Sequence, residues 1–290
     1  MIEARRISKF FSLPNPDGTA EGFTALLSVS LKIENGAFIS LIGPSGCGKS
    51  TFLEILAGVQ APSDGEVYID GNKVLEPLPS TRKEMEDYKR KYRFLSPIAN
   101  SIFRDHPKHD IAMIFQDYAV FPWMTALQNV FFTLKLRGVK RSERRDLACR
   151  YLKMVNLSGS ENKYPSQLSG GMRQRLALAR ALSVEPKIIL MDEPFAAVDA
   201  LTREKLQEDL LGIWQDTQKT IVLVTHDVDE ALYLSDRIVV FSPFPGSVRN
   251  ILDVNIPRPR RHQAPEIQQL KERILLMYRF DTEHESDFVI

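Results

Sequence analysis

The octet GPSGCGKS at residues 43–50 has residue types and spacing suited to holding phosphate groups. It matches the pattern GxxxxGK[ST], follows the apolar run Phe38–Ile42 and precedes the helix-like segment 51–56. The glycines let backbone amides point at phosphate oxygens, and the following helix adds the positive end of its dipole. Lys49 would neutralise the β- and γ-phosphates, and Ser50 would bind Mg²⁺. The residues predicted to bind a nucleotide's phosphates are Gly43, Pro44, Ser45, Gly46, Cys47, Gly48, Lys49, Ser50 and Thr51.

Two neighbouring acids, Asp192 and Glu193, follow the apolar run 188–191. Such a run is typical of a buried strand, and nucleotides bind beyond the carboxyl ends of strands in open α/β sheets. Asp192 would hold Mg²⁺, often through water, and Glu193 would accept a proton from an attacking water. Adjacent acids at a strand end can instead cap the next helix. The complete phosphate loop in the same chain favours the catalytic interpretation.

The segment LSGGMRQ at residues 168–174 predicts a second helix start suited to an anion. Ser169 is a good N-cap residue, and Gly170 and Gly171 leave the first amides uncovered. Because one nucleotide already has a phosphate loop, a second such helix end indicates that two copies enclose ATP and complete each other's site. A capped helix with a purely structural role is the alternative. The residues predicted to contact the partner's ATP are Ser169, Gly170, Gly171 and Gln174.

Together, the phosphate loop and LSGGMRQ are similar to the motifs of the ABC ATPases, and the likeness covers nearly the whole chain. The resemblance implies that Gln116, after an apolar strand, is the Q-loop glutamine that contacts Mg²⁺ and water and senses a transmembrane partner. It also implies that His226 is the switch histidine contacting the γ-phosphate and that Asp199 is the D-loop aspartate. The expected catalytic residues are Glu193, His226 and Gln116, and the expected metal ligands are Ser50, Gln116 and Asp192.

Two positions depart from the family pattern. Before Asp199 the family usually has Ser-Ala-Leu, whereas this chain has Ala-Ala-Val at 196–198. The missing serine hydroxyl is expected to alter communication between subunits without preventing catalysis. The aromatic residue that stacks on adenine is usually tyrosine, and here Phe11 or Phe10 is the candidate. A phenylalanine suffices because stacking needs only the ring face.

The elements that would position these residues follow from the apolar patterning. Short strands are predicted at 2–8, 28–33, 38–42 and 66–69, with a helix beginning near Gly48. Residues 126–182 have helical spacing, and strands and helices alternate from Lys187 onward, which predicts parallel pairing in a doubly wound sheet. With the resemblance, the expected fold class is α/β: a P-loop NTPase, ABC-type nucleotide-binding domain with a mostly parallel sheet core, an N-terminal antiparallel β subdomain and a helical signature subdomain.

The expected domain boundaries place an ABC ATPase domain at 1–255, with a helical subdomain at about 117–184. A basic linker and a C-terminal helix, predicted at 264–278, would occupy 256–290. An atypical insertion with a mixed charge run and prolines is expected at about 77–109. It is predicted to be a solvent-exposed helical insertion, followed by an irregular segment that leads back to the domain. A docking arm for a partner is the alternative.

The composition is that of a globular protein, with 43% hydrophobic and 26% charged residues. A formal net charge of +1 provides no strong electrostatic attraction for nucleic acid, which is a polyanion. The apolar runs fall short of the roughly 20 residues that cross a bilayer, and no apolar stretch follows the first arginines, so we expect a cytoplasmic chain. The two cysteines, Cys47 and Cys149, have neither a disulfide framework nor metal-ligand spacing.

Two short motifs narrow the resemblance: FPW at 121–123 and IPRPRR at 256–261 resemble the nitrate, sulfonate, taurine and bicarbonate import group. This implies ATP-driven dimer closure, with Mg²⁺ as cofactor, at the cytoplasmic face of the inner membrane. The implied partners are a second ABC ATPase subunit, identical or paralogous, permease subunits and, indirectly, a periplasmic or lipid-anchored substrate-binding protein, with no nucleic acid. The alternatives are another transported substrate class and a non-transport ABC ATPase. A third alternative is a regulatory module that binds ATP without hydrolysing it, and the presence of Glu193 and His226 argues against this module.

Overall fold

A computed structural model describes residues 1–14, 20–75, 111–196, 198–261 and 263–285. The insertion predicted at 77–109 and Ala197 of the predicted D-loop lie outside the described residues. The chain divides into two compact units: residues 1–108 with 224–290, and residues 109–223.

The elements run along the chain as follows. The strands are β1 (Ile2–Pro14), β2 (Ala20–Ile33), β3 (Phe38–Ile42), β4 (Asp64–Ile69), β5 (Asn72–Leu75), β6 (Ile111–Ile114), β7 (Ile188–Asp192), β8 (Thr220–Val224), β9 (Arg237–Phe241) and β10 (Val248–Asp253). The α-helices are α1 (Lys49–Leu56), α2 (Ala126–Leu136), α3 (Arg144–Met154), α4 (Gly170–Ser183), α5 (Ala200–Thr217), α6 (Val228–Leu234) and α7 (Pro265–Glu285), and a 3-10 turn lies at Pro165–Gln167.

The first unit contains an antiparallel sheet with the strand order β2-β1-β4-β5. β1 extends beyond the predicted end at Ser8, and β2 begins before the predicted start at Ser28. Register shifts interrupt their pairing between Ala4 and Phe10, and Arg6 and Ser28 have positive φ angles. Bulges of this kind break the alternation of apolar and polar residues on which a strand prediction depends, so the predicted strands were too short.

A second set of strands in the first unit has β9 between β10 and β3. β3 runs parallel to β9, and β10 runs antiparallel to it. Every residue of β3 is buried, and its bounds are those predicted. The sequence prediction omitted β10, because Leu252 alone among its six residues is buried and the apolar signal is therefore weak.

Helix α7 belongs to the core of the first unit. Its Ile267 and Ile274 lie in one apolar cluster with Val228 and Leu232 of α6. The ammonium of Lys271 on α7 forms an ion pair of 2.6 Å with Asp229 on α6. The C-terminal helix is therefore tied to the helix that immediately follows His226.

The basic stretch before α7 is fixed by hydrogen bonds. Arg260 is only 6% exposed and donates from Nη1 to the carbonyl oxygens of Leu232 and Ser235 and from Nη2 to that of Val254. Burial, reinforced by the positive charge of Arg258, lowers the pKa of Arg260 to about 10. The bonds to Leu232 and Ser235 satisfy carbonyls at the end of α6 that helix geometry leaves unpaired, and the bond to Val254 ties the same guanidinium to the residue after β10.

The second unit has the strand order β8-β7-β6, with β6 parallel to β7. β7 and β8 are buried at every residue, as their continuous apolar runs predict. Helices α2, α3 and α4 pack against one another. α2 begins with a capping box between Thr125 and Gln128. Among the described residues, no helix combines the length and apolarity that crossing a bilayer requires.

Candidate functional site

In the first unit, the phosphate loop at residues 43–50 connects β3 to α1 and is shaped by glycines. Gly46 and Gly48 have φ angles of 79° and 93°, a left-handed conformation that glycine adopts without strain. A Cβ on Gly48 would lie 2.7 Å from the carbonyl oxygen of Ala25, so only glycine fits there. Since α1 begins at Lys49, directly after this turn, its first amides and positive dipole end lie at the loop.

Lys49 is held within the loop by uncharged acceptors. Its side chain is 5% exposed, and Nζ donates to the carbonyl oxygens of Gly43 and Pro44, both at 2.8 Å. Nζ also lies 3.6 Å from Sγ of Cys47. Burial raises the pKa of the Cys47 thiol against the opposing effect of Lys49. The loop therefore contains a protonated thiol and an ammonium whose charge is suited to phosphate oxygens.

The segment around His226 lies beside the strand that leads into the phosphate loop. The amide of Thr225 donates to the carbonyl oxygen of Leu41 at 3.2 Å. The side chain of Thr225 is bonded as well: Oγ1 donates to Oε2 of Glu230 at 2.6 Å and accepts from the amide of Asp227 at 3.0 Å. His226 itself is exposed. The first unit therefore brings His226 and the phosphate loop to neighbouring strand ends.

In the second unit, Gln116 and Glu193 meet. Ile114 and Met191 are partners in the parallel pairing of β6 and β7, and each functional residue lies two positions beyond its strand partner. Nε2 of Gln116 lies 3.4 Å from Oε2 of Glu193 and donates to it. Glu193 has a φ of 43°, a costly conformation for a residue with a side chain. The turn thus holds a carboxylate in a fixed position beside an amide, with Asp192 buried directly before it.

The predicted signature and D-loop residues also meet in the second unit. The side chain of Ser169 accepts from the amide of Met172 at 3.3 Å and caps α4. Asp199 caps α5 in the same way, accepting from the amide of Thr202 at 3.0 Å, and hydrogen bonding to Thr202 lowers the pKa of Asp199. A Cβ on Gly171 would lie 2.6 Å from Cγ2 of Thr202, so the glycine permits the two helix starts to pack closely.

A family model described as "ABC transporter" matches residues 26–196, more than half of the chain. The chain belongs to the ABC transporter family. An uncharacterized ABC transporter ATP-binding protein of Methanocaldococcus jannaschii is 42% identical over 251 residues, 87% of this chain and 83% of that protein. The aliphatic sulfonates import ATP-binding protein SsuB of Bacillus cereus is 36% identical over 279 residues, 96% of each chain. The bicarbonate transport ATP-binding protein CmpC of Synechocystis is 41% identical over 281 residues, 94% of this chain but 37% of that protein.

The structural comparison gives the same family. A dimeric ATP-binding cassette in a post-hydrolysis state, bound to ADP and Pi, has a TM-score of 0.68 and 34% identity and covers 89% of this chain and 100% of that one. The predicted fold class is therefore confirmed, and the chain is an ABC ATPase.

Gln174 is a buried polar residue among the predicted signature residues of this ABC ATPase, of which Gly171 is also buried. Ser169 is exposed, whereas Gln174 is buried. Among the residues that the structure describes, Oε1 of Gln174 has no hydrogen-bond partner, and Gln174 lines a cavity of about 20 Å³ together with Arg175 and Leu206. A cavity of this size holds about one water molecule. The predicted contact of Gln174 with the partner's ATP stays a prediction.

The two candidate aromatic residues lie on opposite faces of β1, because successive residues of a strand alternate. Phe11 is paired with Phe23 of β2, and their ring centroids are 5.3 Å apart with an interplanar angle of 26°. Phe10 is paired with Thr24 instead. Of the two candidates, Phe11 is the one that stacks on another ring in the described structure.

The sequence predictions missed residues that support the site from a distance. Asn129 is fully buried; its side chain accepts from the amide of Phe121 at 2.9 Å and donates to the carbonyl oxygens of Phe121, Met124 and Thr125. It therefore fixes the segment that follows Gln116. The one available signal was a polar residue on the apolar face of a predicted helix. Glu230, which anchors Thr225, gave a similarly weak signal.

Proposed function

We propose that this ABC ATPase powers the import of a small anion, such as nitrate, a sulfonate or taurine, or bicarbonate. The observation that carries the proposal is the similarity to the aliphatic sulfonates import ATP-binding protein over 96% of both chains. The relative named for bicarbonate transport supports the same class of cargo. The motifs FPW at 121–123 and IPRPRR at 256–261 point to the same import group.

The partner proposed for the nucleotide site is a second ABC ATPase subunit, identical or paralogous. The starts of α4 and α5 border a cavity of about 370 Å³ lined by Ser169, Gly171 and Thr202, which provides room for a ligand at two helix N-termini. Solved relatives are described as dimeric. The further partners proposed are permease subunits and, indirectly, a substrate-binding protein. In such an assembly the ATPase would be a peripheral subunit at the cytoplasmic face of the membrane.

The nucleotide roles proposed for the first unit follow its geometry. Residues 43–51 would bind the phosphates through backbone amides at the start of α1, with Lys49 neutralising the β- and γ-phosphates. His226 would contact the γ-phosphate. Support comes from Thr225, whose backbone and side chain tie the histidine segment to Leu41 and Glu230.

The chemical step proposed for the second unit is proton transfer to Glu193. As the oxygen of a water molecule attacks the γ-phosphorus, Glu193 would accept the proton that this water releases. The hydrogen bond from Gln116 would orient the carboxylate that accepts this proton. Gln116 would thereby orient the base as well as the water.

Mg²⁺ fits the donor set proposed for it. Ser50, Asp192 and Gln116 supply a hydroxyl, a carboxylate and an amide oxygen, and hard oxygen donors are the ligands that Mg²⁺ takes. Because the amide nitrogen of Gln116 donates to Glu193, its amide oxygen is the atom suited to the metal. Bound with ATP, the metal would neutralise phosphate charge.

The proposed cargo can be tested in proteoliposomes that contain the ATPase and its permease. ATP hydrolysis is measured with the substrate-binding protein loaded with nitrate, taurine, an alkanesulfonate or bicarbonate, and with a neutral sugar as control. The proposal predicts stimulation by one of the anions and none by the sugar. Stimulation by the sugar, or by none of these anions, would contradict anion import. The Lys49→Ala variant controls for hydrolysis by contaminants.

A further inference from the structure

His226 is the most exposed residue in a part of the first unit that is otherwise largely buried. Thr225, directly before it, is 2% exposed, and Val228, the first residue of α6, is 7% exposed. Asp227, between His226 and α6, is half-buried. The backbone therefore leaves the interior at His226 and returns to it within two residues, so that one imidazole is presented to solvent.

A single hydroxyl group joins the two residues that flank His226. Oγ1 of Thr225 accepts a hydrogen bond from the amide of Asp227 at 3.0 Å, which closes a small turn of the kind that serine and threonine side chains form with the backbone. The same Oγ1 donates to Oε2 of Glu230 at 2.6 Å. Because the hydroxyl both accepts and donates, its orientation is fixed, and His226 lies in the turn that it closes.

The start of α6 is a capping arrangement with an inserted hydroxyl. Asp227 is the N-cap of α6 and Glu230 is its third residue. In a capping box, a glutamate at the third position accepts directly from the N-cap amide. Here the hydroxyl of Thr225 stands between these two groups. The insertion includes the residue before His226 in the cap, so the helix start holds the histidine from both sides.

The carboxyl group of Glu230 lies in an environment that strengthens its hydrogen bond. Glu230 is 5% exposed, and few water molecules can compete for its oxygen there. The length of 2.6 Å is typical of hydroxyl groups that donate to carboxylates, which are among the stronger hydrogen bonds of proteins. Glu230 is therefore a firm anchor for Thr225.

The helix that carries Glu230 is fixed by its surroundings. α6 has seven residues, and a helix of this length needs tertiary contacts to persist. It packs against α7 in a common apolar cluster, and Asp227 caps it by accepting from the amides of Asp229 and Glu230. On the strand side, the amide of Thr225 donates to the carbonyl oxygen of Leu41. The hydroxyl of Thr225 thus connects a fixed helix to a fixed strand.

We propose that Glu230 and Thr225 are positioning residues for ATP hydrolysis, which hold His226 at the place where it reaches the γ-phosphate. This inference rests on the contact with the γ-phosphate proposed above for His226, and it adds two residues that act through the histidine. The hydrogen bond between Oγ1 of Thr225 and Oε2 of Glu230 carries the effect.

The test separates turnover from ATP affinity in the full chain. Phosphate release from MgATP and ATP binding are measured for the wild type, Glu230→Ala, Thr225→Val and Thr225→Ser. Loss of the hydrogen bond is expected to lower kcat about tenfold or more in Glu230→Ala and Thr225→Val, and to change ATP affinity by a much smaller factor. Thr225→Ser retains the hydroxyl and is expected to restore most of kcat.

A control variant distinguishes positioning from a general loss of stability. Val67→Ala removes buried side-chain volume from β4, in the antiparallel sheet of the same unit. It is expected to lower the unfolding temperature, because a cavity is formed, and to leave kcat unchanged. Thermal unfolding of all variants shows whether kcat follows the hydroxyl or the stability. A kcat that falls in Val67→Ala as it does in Glu230→Ala would overturn the proposal.

The decisive comparison uses a background without the histidine. If Glu230 acts through His226, the Glu230→Ala change has no further effect on single-turnover hydrolysis once His226→Ala is present, because coupled residues are not additive. The same relative loss in both backgrounds would overturn the positioning role, as would wild-type turnover by Glu230→Ala. Wild-type turnover by His226→Ala is a different result, since it would refute the proposed contact of the histidine with the γ-phosphate.

Discussion

Gln116 donates a hydrogen bond from Nε2 to Oε2 of Glu193 at 3.4 Å. The two side chains follow neighbouring parallel strands, β6 and β7, of which β7 is buried at every residue. Rigid strands thus bring an amide and a carboxylate together, and the strained backbone of Glu193, with a φ of 43°, fixes the carboxylate further. This pairing of an amide with a carboxylate has direct consequences for variants.

Replacing Gln116 by alanine is expected to lower kcat by a larger factor than it lowers ATP affinity, since the variant loses the hydrogen bond to Glu193 as well as a proposed Mg²⁺ ligand. The loss of one hydrogen bond to a charged group corresponds to about a tenfold fall in kcat or more, because the base and the water are less well oriented. Steady-state phosphate release and ATP titration measure the two effects. Gln215→Ala, an exposed glutamine of α5 in the same unit, is the control. A lower ATP affinity with unchanged kcat would contradict the orienting role.

Replacing Lys49 by alanine is expected to weaken ATP binding at least about tenfold, because charge-assisted hydrogen bonds to the phosphates are lost. Titration with ATP measures the change. Lys32→Ala, which removes an exposed lysine of the same unit, should bind ATP as the wild type does. Unchanged affinity in Lys49→Ala would count against the phosphate loop as the nucleotide site.

Replacing Gly246 by alanine is expected to destabilise the first unit. The new Cβ would lie 1.8 Å from the carbonyl oxygen of Cys47, and overpacking of this kind costs about 1–3 kcal/mol, occasionally more. Gly212 of α5 is the matched control, since a Cβ there meets nothing within 4 Å. Gly212→Ala should raise the free energy of unfolding by about 0.5–1 kcal/mol. Thermal or urea unfolding measures both, and equal stabilities would refute the close packing.

Replacing Arg260 by methionine is expected to lower the free energy of unfolding by roughly 3 kcal/mol or more. The carbonyl oxygens of Leu232, Ser235 and Val254 would lose their donor, and each buried unpaired group costs roughly 1–3 kcal/mol. The neighbouring Arg261 is exposed, so Arg261→Met should change stability by about 0.5 kcal/mol at most. If the two variants unfold at the same urea concentration, Arg260 does not hold α6.

The sequence predicted the elements whose signal is local. β3 has the predicted bounds, and β7 contains the apolar run 188–191 that predicted it, because continuous apolar runs mark strands that are buried on both faces. The phosphate loop was recognisable because its glycines and its lysine have fixed spacing. Ser169 and Asp199 were predicted as site residues, and each lies at a helix start, where its side chain caps the helix.

Features that depend on residues far apart in the chain could not be predicted. The rings of Phe23 and Phe244 lie 5.9 Å apart although more than two hundred residues separate them in the chain. The proximity of Gly246 to Cys47 has no local signature beyond a Pro-Gly turn. Arg260 belongs to the stretch that was predicted to be a basic linker, yet its burial among carbonyl groups decides its role. In each case the partner is chosen by tertiary packing.

Glu193→Gln is the variant that tests the central claim most directly. The amide keeps the shape and the neighbour of the carboxylate but cannot take a proton from water, so hydrolysis should fall by about 10²–10⁴-fold. Phosphate release from purified wild type and variant is measured together with ATP binding. The account predicts retained binding with hydrolysis lost, and wild-type turnover by Glu193→Gln would contradict it.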